Sequence, residues 1–180
     1  MAARSAASPF FLAHFEHLRA AARRGPIVDV ACGRGRHTVA AAERGIPVLG
    51  IDRNPDSLAE LCATARARRL PLAAVRADLE CGRGLPLAPA SCAALLVFRY
   101  LHRPLVCHLV NTLQPGGLLL YETFTIHHRT RGYGPKNTDF LLQPEELPKL
   151  FAALEVIHSW EGRTRDDPPA AVAQFAARRR

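Results

Sequence analysis

Three short apolar runs in the first half of the chain each run into an aspartate: "PIVDVA" holds Asp29, "IPVLGID" ends at Asp52 and "LPLAAVRAD" ends at Asp78. Each is too short for a helix and is bounded by turn residues, so each reads as a buried strand. Helical patterns alternate with them. "HTVAAAERG" follows the first run and "DSLAELCATARARR" the second, the latter opened by Asn54-Pro55-Asp56, with Asn54 or Asp56 as N-cap and Pro55 in the first turn. "CAALLVFRY" and "LLLYETF" are two further strands around the helix "RPLVCHLVNTL", which "QPGG" stops. Only "LECGRGLPLAPAS", between strands three and four, is too turn-rich and short for a crossover helix. Strand–helix repetition of this kind predicts a parallel sheet with helices on both faces, a doubly wound α/β fold.

The C-terminal end departs from the repeat. After the helix "PEELPKLFAAL", the runs "EVIHSWEG" and "AAVAQFAARR" are joined only by "RTRDDPP", which predicts an antiparallel hairpin. At the other end Phe11, Phe15, Leu18 and Ala22 recur at helical spacing, so residues 1–24 are expected to carry a leading helix. With 180 residues, 48% hydrophobic and 22% charged, the chain is expected to form one globular domain over residues 1–180 with its own core. No apolar run approaches a membrane span, so no membrane association is expected. The five cysteines are scattered, with no C-x-x-C pair and no secretory leader, which points to free thiols in the cytoplasm and predicts no metal site. Net charge is +8, and of 24 basic residues only Lys136 and Lys149 are lysines. The arginines are dispersed rather than blocked, as a compositional bias leaves them, and the tail Arg178 to Arg180 reads as a solvated end.

The turn "ACGRGRHT" after the first strand opens a helix, the arrangement that brings backbone amides close to a nucleotide. The dinucleotide fingerprint fails, because Thr38 stands where its third glycine belongs, and no G-K-[ST] supports a P-loop. Asp29 beside the turn would also repel a pyrophosphate. S-adenosylmethionine resolves the conflict, since it carries an ammonium and a sulfonium instead of phosphate. Asp29 suits its cationic end, the glycines let backbone lie against ribose and methionine, Asp52 can accept both ribose hydroxyls, and Asp78 can accept the adenine amino group. All three belong to strand ends, where open α/β sheets bind ligands.

With these features "VDVACGRGRHTVAAAERG", "GIDRNPDSLAEL", "ADLE" and "LQPGGLLLYETF" resemble the class I S-adenosylmethionine-dependent methyltransferases, and the G-R-H-[ST] helix start is similar to the tellurite-resistance methyltransferase type. The resemblance covers residues 25 to 177. It implies a seven-stranded sheet of order 3-2-1-4-5-7-6 with strand seven antiparallel. It implies a cofactor site of Asp29, Ala31, Gly33, Gly35, Arg36, Asp52, Arg53, Asp78, Leu79, Phe98 and Arg99. Ala31 departs from the family, which usually has glycine there.

Methyl transfer is an in-line displacement, so alignment and water exclusion carry much of it, and a base is needed only for a protonated acceptor. The acceptor is expected above the ends of strands four and five. His102 is a candidate base there, and Tyr121 and Glu122 are candidate catalytic groups, although strand alternation sends those two to opposite faces. Phe98-Arg99-Tyr100 departs from the [DN]-P-P-[YF] of base-methylating enzymes, and Arg99 and Arg103 favour an anionic acceptor or a carboxylate. The long stretch 123–144 is expected to be a substrate lid hinged at Gly132, Gly134 and Pro135, with Tyr100, Thr123, Arg129 and Tyr133 contacting substrate. A small-molecule acceptor is therefore expected. An RNA or tRNA acceptor held by the basic lid, and a non-catalytic binding protein, are the alternatives. The oligomeric state is left open.

Overall fold

A computed structural model describes residues 6–129, 131–165 and 168–180, so the first five positions of the expected leader, one position of the expected lid and two of the hairpin loop lie outside the described residues. Seven strands run in the order β3-β2-β1-β4-β5-β7-β6: β1 (Ile27–Val30), β2 (Val48–Asp52), β3 (Leu72–Arg76), β4 (Cys92–Phe98), β5 (Leu113–Phe124), β6 (Leu154–Arg163) and β7 (Ala171–Arg179). The first five are parallel, while β7 is antiparallel to both β5 and β6. This is the order that the resemblance implies. Strand order reverses between β1 and β4, so a crevice opens at their carboxyl ends.

Helices α1 (Pro9–Ala13) and α2 (Phe15–Ala22) precede the sheet, and α3 (Arg36–Ala42), α4 (Pro55–Arg68), α5 (Val106–Thr112) and α6 (Glu146–Leu150) follow in order. The side chain of Asn54 caps α4 by accepting from the Ser57 N–H, with Pro55 at its start. Every residue of β4 is buried, and alternate side chains feed two cores. Leu95, Val97, Leu119 and Tyr121 join Leu105, Leu109 and Phe151 on one face. Leu96, Phe98, Leu118 and Leu120 join Phe10, Phe11, Phe15 and Leu18 on the other.

Several elements differ from the sequence expectation, among them β5, which starts at Leu113 and takes in the "QPGG" expected only to stop the preceding helix. The leading helix is two helices broken at His14 (φ −101°, ψ 13°), which lets Phe10, Phe11 and Phe15 reach one core. Strand β3 stops at Arg76, leaving Asp78 in the loop after it. Helix α6 has five residues, because Phe151 turns into the core and the chain re-extends at Leu154. The stretch 123–144 is not structureless: β5 reaches Phe124, short 3-10 turns form at Ile126–His128 and Thr138–Phe140, and Thr125 bridges Leu142. Among the described residues no helix is long and apolar enough to cross a membrane.

Candidate active site

The turn from β1 to α3 holds three left-handed residues, Ala31 (φ 54°), Gly33 (φ 54°) and Gly35 (φ 73°). Gly35 is needed twice, for its φ and because a Cβ there would lie 2.5 Å from Leu61 Cδ1. Ala31 carries its methyl group in a conformation that non-glycine residues adopt at a cost of about 1 kcal/mol. Gly33 donates its N–H to Asp52 Oδ2 at 2.7 Å, and the Asn54 N–H donates to Oδ1 at 2.8 Å, so the turn and the start of α4 hold the Asp52 carboxylate in place.

Asp52 borders a cavity of about 200 Å3 at the strand ends, together with Ala31, Arg53, Asp78, Leu79, Arg99 and Tyr100. Arg53 is tied across the rim to Glu80 at 3.0 Å, and the Glu80 N–H fixes Asp78 Oδ1 at 3.0 Å. The buried Tyr100 hydroxyl has no hydrogen-bond partner there, and desolvation among the acidic residues pushes its pKa up. The sequence candidates Ala31, Asp52, Arg53, Asp78, Leu79, Arg99 and Tyr100 are thus brought to one cavity.

Asp29 does not line that cavity. It is 2% exposed, and its Oδ2 accepts both the N–H (3.1 Å) and the hydroxyl (2.6 Å) of Thr38. A strand-end carboxylate therefore caps the first turn of α3. Burial raises its pKa to about 6, against the lowering effect of the Thr38 hydrogen bonds and the charge of Arg36.

A second polar cluster occupies the ends of β4 and β5. Phe98, Glu122 and Gln174 are register partners across β4, β5 and β7. Glu122 Oε2 accepts from Ser8 Oγ and from Gln174 Nε2, both at 2.8 Å. The Ser8 N–H donates to His37 Nε2 at 3.2 Å, and the His37 ring packs on Phe98 with centroids 3.8 Å apart. Burial raises the Glu122 pKa and depresses that of His37 to about 2, the nearby Arg36 and Arg99 charges lowering both. His37 is therefore neutral, with Nε2 as an acceptor. Ser8, His37 and Gln174 were not singled out from the sequence; only the G-R-H-T helix start pointed toward His37.

Other candidates are placed elsewhere. Tyr121 is 2% exposed, packs in the core near Phe151 and donates its hydroxyl to Tyr100 O at 2.9 Å, so it does not border the cavity. Thr123 shares that buried face. His102 is half-buried before the 3-10 turn Arg103–Leu105 and does not border the cavity. The Arg103 guanidinium grips Glu146 (2.6 and 3.0 Å) and donates to Asp139 O and Leu141 O, so it anchors the 123–144 stretch instead of awaiting an anion. Arg129 is exposed, and the Tyr133 hydroxyl donates to Pro168 O at 3.0 Å. Neither borders the cavity, because the segment folds onto the start of β7.

Residues 27–117, just over half of the chain, match the family described as methyltransferase domain. Solved structures share the fold. Haemophilus influenzae TehB is 19% identical with a TM-score of 0.71, covering 93% of this chain and 62% of that one. A Methanosarcina mazei S-adenosylmethionine-dependent methyltransferase is 15% identical with a TM-score of 0.69, covering 86% of this chain and 92% of that one. The Streptomyces coelicolor A3(2) geranyl diphosphate C-methyltransferase, solved with S-adenosyl-L-homocysteine, is 17% identical with a TM-score of 0.68, covering 94% and 77%. A lysine N-methyltransferase of Mus musculus is 52% identical over 33 residues, 18% of this chain and 13% of that protein. The chain belongs to the methyltransferase-domain family, with the class I fold of the S-adenosylmethionine-dependent enzymes.

Proposed function

We propose that this chain is an enzyme that transfers the methyl group of S-adenosylmethionine to a small-molecule acceptor. The observation that carries the reading is the strand-end cavity: Asp52 is held by two amides, Asp78 is beside it, and the Tyr100 hydroxyl lacks a partner. Its three carboxylates, Asp52, Asp78 and Glu80, outnumber Arg53 and Arg99, and with Arg53 tied to Glu80 the other two carboxylates disfavour a pyrophosphate and suit a cationic, hydroxyl-rich ligand. Asp52 retains lone pairs for ribose hydroxyls, and Asp78 with Leu79 offers an acceptor and an apolar wall on the adenine side. When bound, S-adenosylmethionine supplies an electrophilic methyl group on a sulfonium. The chain aligns the acceptor and excludes water, which the cover of Ser8, Phe10 and Phe11 over the ends of β4 and β5 favours. A small acceptor suits this enclosed side, and one structural neighbour is named for a small-molecule acceptor of a different charge, geranyl diphosphate.

Calorimetry tests the cofactor. S-adenosylmethionine and S-adenosylhomocysteine are expected to bind, and NAD is not; tight NAD binding without a response to S-adenosylhomocysteine would overturn the assignment. Asp52→Ala is expected to cost roughly 2–3 kcal/mol of cofactor affinity. A folded Asp52→Ala protein with unchanged affinity would place the ribose elsewhere.

A further inference from the structure

The backbone N–H and the hydroxyl of Ser8, carried on adjacent carbons, reach two different acceptors, His37 Nε2 at 3.2 Å and Glu122 Oε2 at 2.8 Å. Both acceptors are nearly inaccessible, His37 at 2% and Glu122 at 4% exposure, and both come from elements bordering the cofactor turn or the end of β5. Gln174 donates to the same Glu122 oxygen and orients it. The surroundings are aromatic: the His37 ring packs on Phe98 at 3.8 Å and near Phe11 at 5.2 Å. A donor pair is thus read by a fixed acceptor pair, inside an apolar wall, at the strand ends where this fold places the methyl acceptor.

We propose that Glu122 Oε2 and His37 Nε2 form the acceptor subsite for a neutral small molecule with hydrogen-bond donors on adjacent carbons, a vicinal diol, and that Ser8 occupies this subsite in the closed form. The inference rests on the methyltransferase reading and goes beyond it by assigning a ligand class. Glu122 disfavours an anion, and the Arg36 and Arg99 charges that act on Glu122 and His37 disfavour a cation. The diol enters by displacing residues 8–11, which exchanges one pair of hydrogen bonds for another and lifts Phe10 and Phe11 from their core contacts, so the apolar body of the ligand has to take their place against Phe98. Only the shape and apolar body of the ligand then decide the net gain.

Catechol and phenol, which differ by one hydroxyl, test this in the full-length protein saturated with S-adenosylhomocysteine. Calorimetry is expected to give about tenfold tighter binding of catechol, the value of one buried hydrogen bond. Ser8→Ala removes the competing hydroxyl and is expected to tighten catechol binding several-fold. Glu122→Leu is expected to abolish the preference for catechol while leaving S-adenosylhomocysteine affinity unchanged. Equal binding of the two phenols, no binding of either, or a Ser8→Ala protein that behaves as wild type would overturn the subsite. If Glu122→Leu does not fold, Ser8→Ala decides. Failure of S-adenosylhomocysteine to bind would instead overturn the cofactor assignment, and the same titrations without it would still decide the subsite.

Discussion

Asp29 and His37 are buried titratable residues eight positions apart whose effects on stability oppose each other. Burial raises the Asp29 pKa from 3.8 to about 6, so between those values the folded chain holds a proton that the unfolded chain has lost. Its contribution to stability therefore falls as pH rises through that window. Burial depresses the His37 pKa from 6.5 to about 2, so the unfolded chain is the one that binds the extra proton, and the His37 contribution rises with pH up to about 6.5. Asp29→Asn keeps an oxygen for Thr38 and removes the first effect alone. Denaturant titrations between pH 4 and 6 are expected to show a slope more positive than wild type by up to about 1.4 kcal/mol per pH unit. A variant whose slope equals that of wild type would mean that Asp29 is ionised in the folded protein throughout this range.

Among the elements, the segment from Thr125 to Leu142 departs most from what its composition suggests. Glycines and a run of polar residues read as a mobile cover, yet His128 is 0% exposed and ties the segment at both sides. Its Nδ1 accepts the Ala171 N–H at 3.2 Å and its Nε2 lies 3.0 Å from Tyr133 O, while its ring packs on Phe124 at 4.2 Å. His128→Ala removes this staple and is expected to destabilise the protein by about 2–3 kcal/mol, with lost hydrogen-exchange protection at the Ala171 amide. Tyr133→Phe deletes only the hydroxyl bond to Pro168 O and is expected to cost about 1 kcal/mol or less. An Ala171 amide equally protected in His128→Ala would show that β7 holds the segment without the histidine.

For the whole molecule the dominant global property is its charge of +8, carried by dispersed arginines. Several are consumed by neighbours: Arg34 with Glu60, Arg53 with Glu80, Arg68 with Glu43 and Arg103 with Glu146. A nucleic-acid clamp needs cations free to face phosphates, and its affinity falls steeply with salt. With the small-molecule reading, binding to bulk tRNA in gel shifts is expected to be weak and little altered when Arg129, Arg131 and Lys136 are neutralised. A steep salt slope that shrinks in the triple variant would make the segment an RNA-binding surface.

The parallel strands, the terminal hairpin and the cavity acids Asp52 and Asp78 were legible in the sequence because they follow from local rules, whereas the strand order was implied by the family resemblance alone. Apolar runs bounded by turns define strands, alternation with helices defines a parallel sheet, and strand ends in such a sheet converge on one crevice. The resemblance to class I methyltransferases rested on the same residues. Long-range packing alone decided the rest. Asp29 became the buried cap of α3 because Thr38 reaches its carboxylate, which strand patterning does not reveal. Tyr121 takes the face of β5 that packs in the core, whereas Glu122, one residue on, meets Ser8 across 114 positions of sequence and Gln174 across 52. Such meetings depend on which face of which neighbouring strand a side chain takes and on what the N-terminal helices lay over it. Periodicity specifies a face, but only the assembled sheet specifies what that face meets.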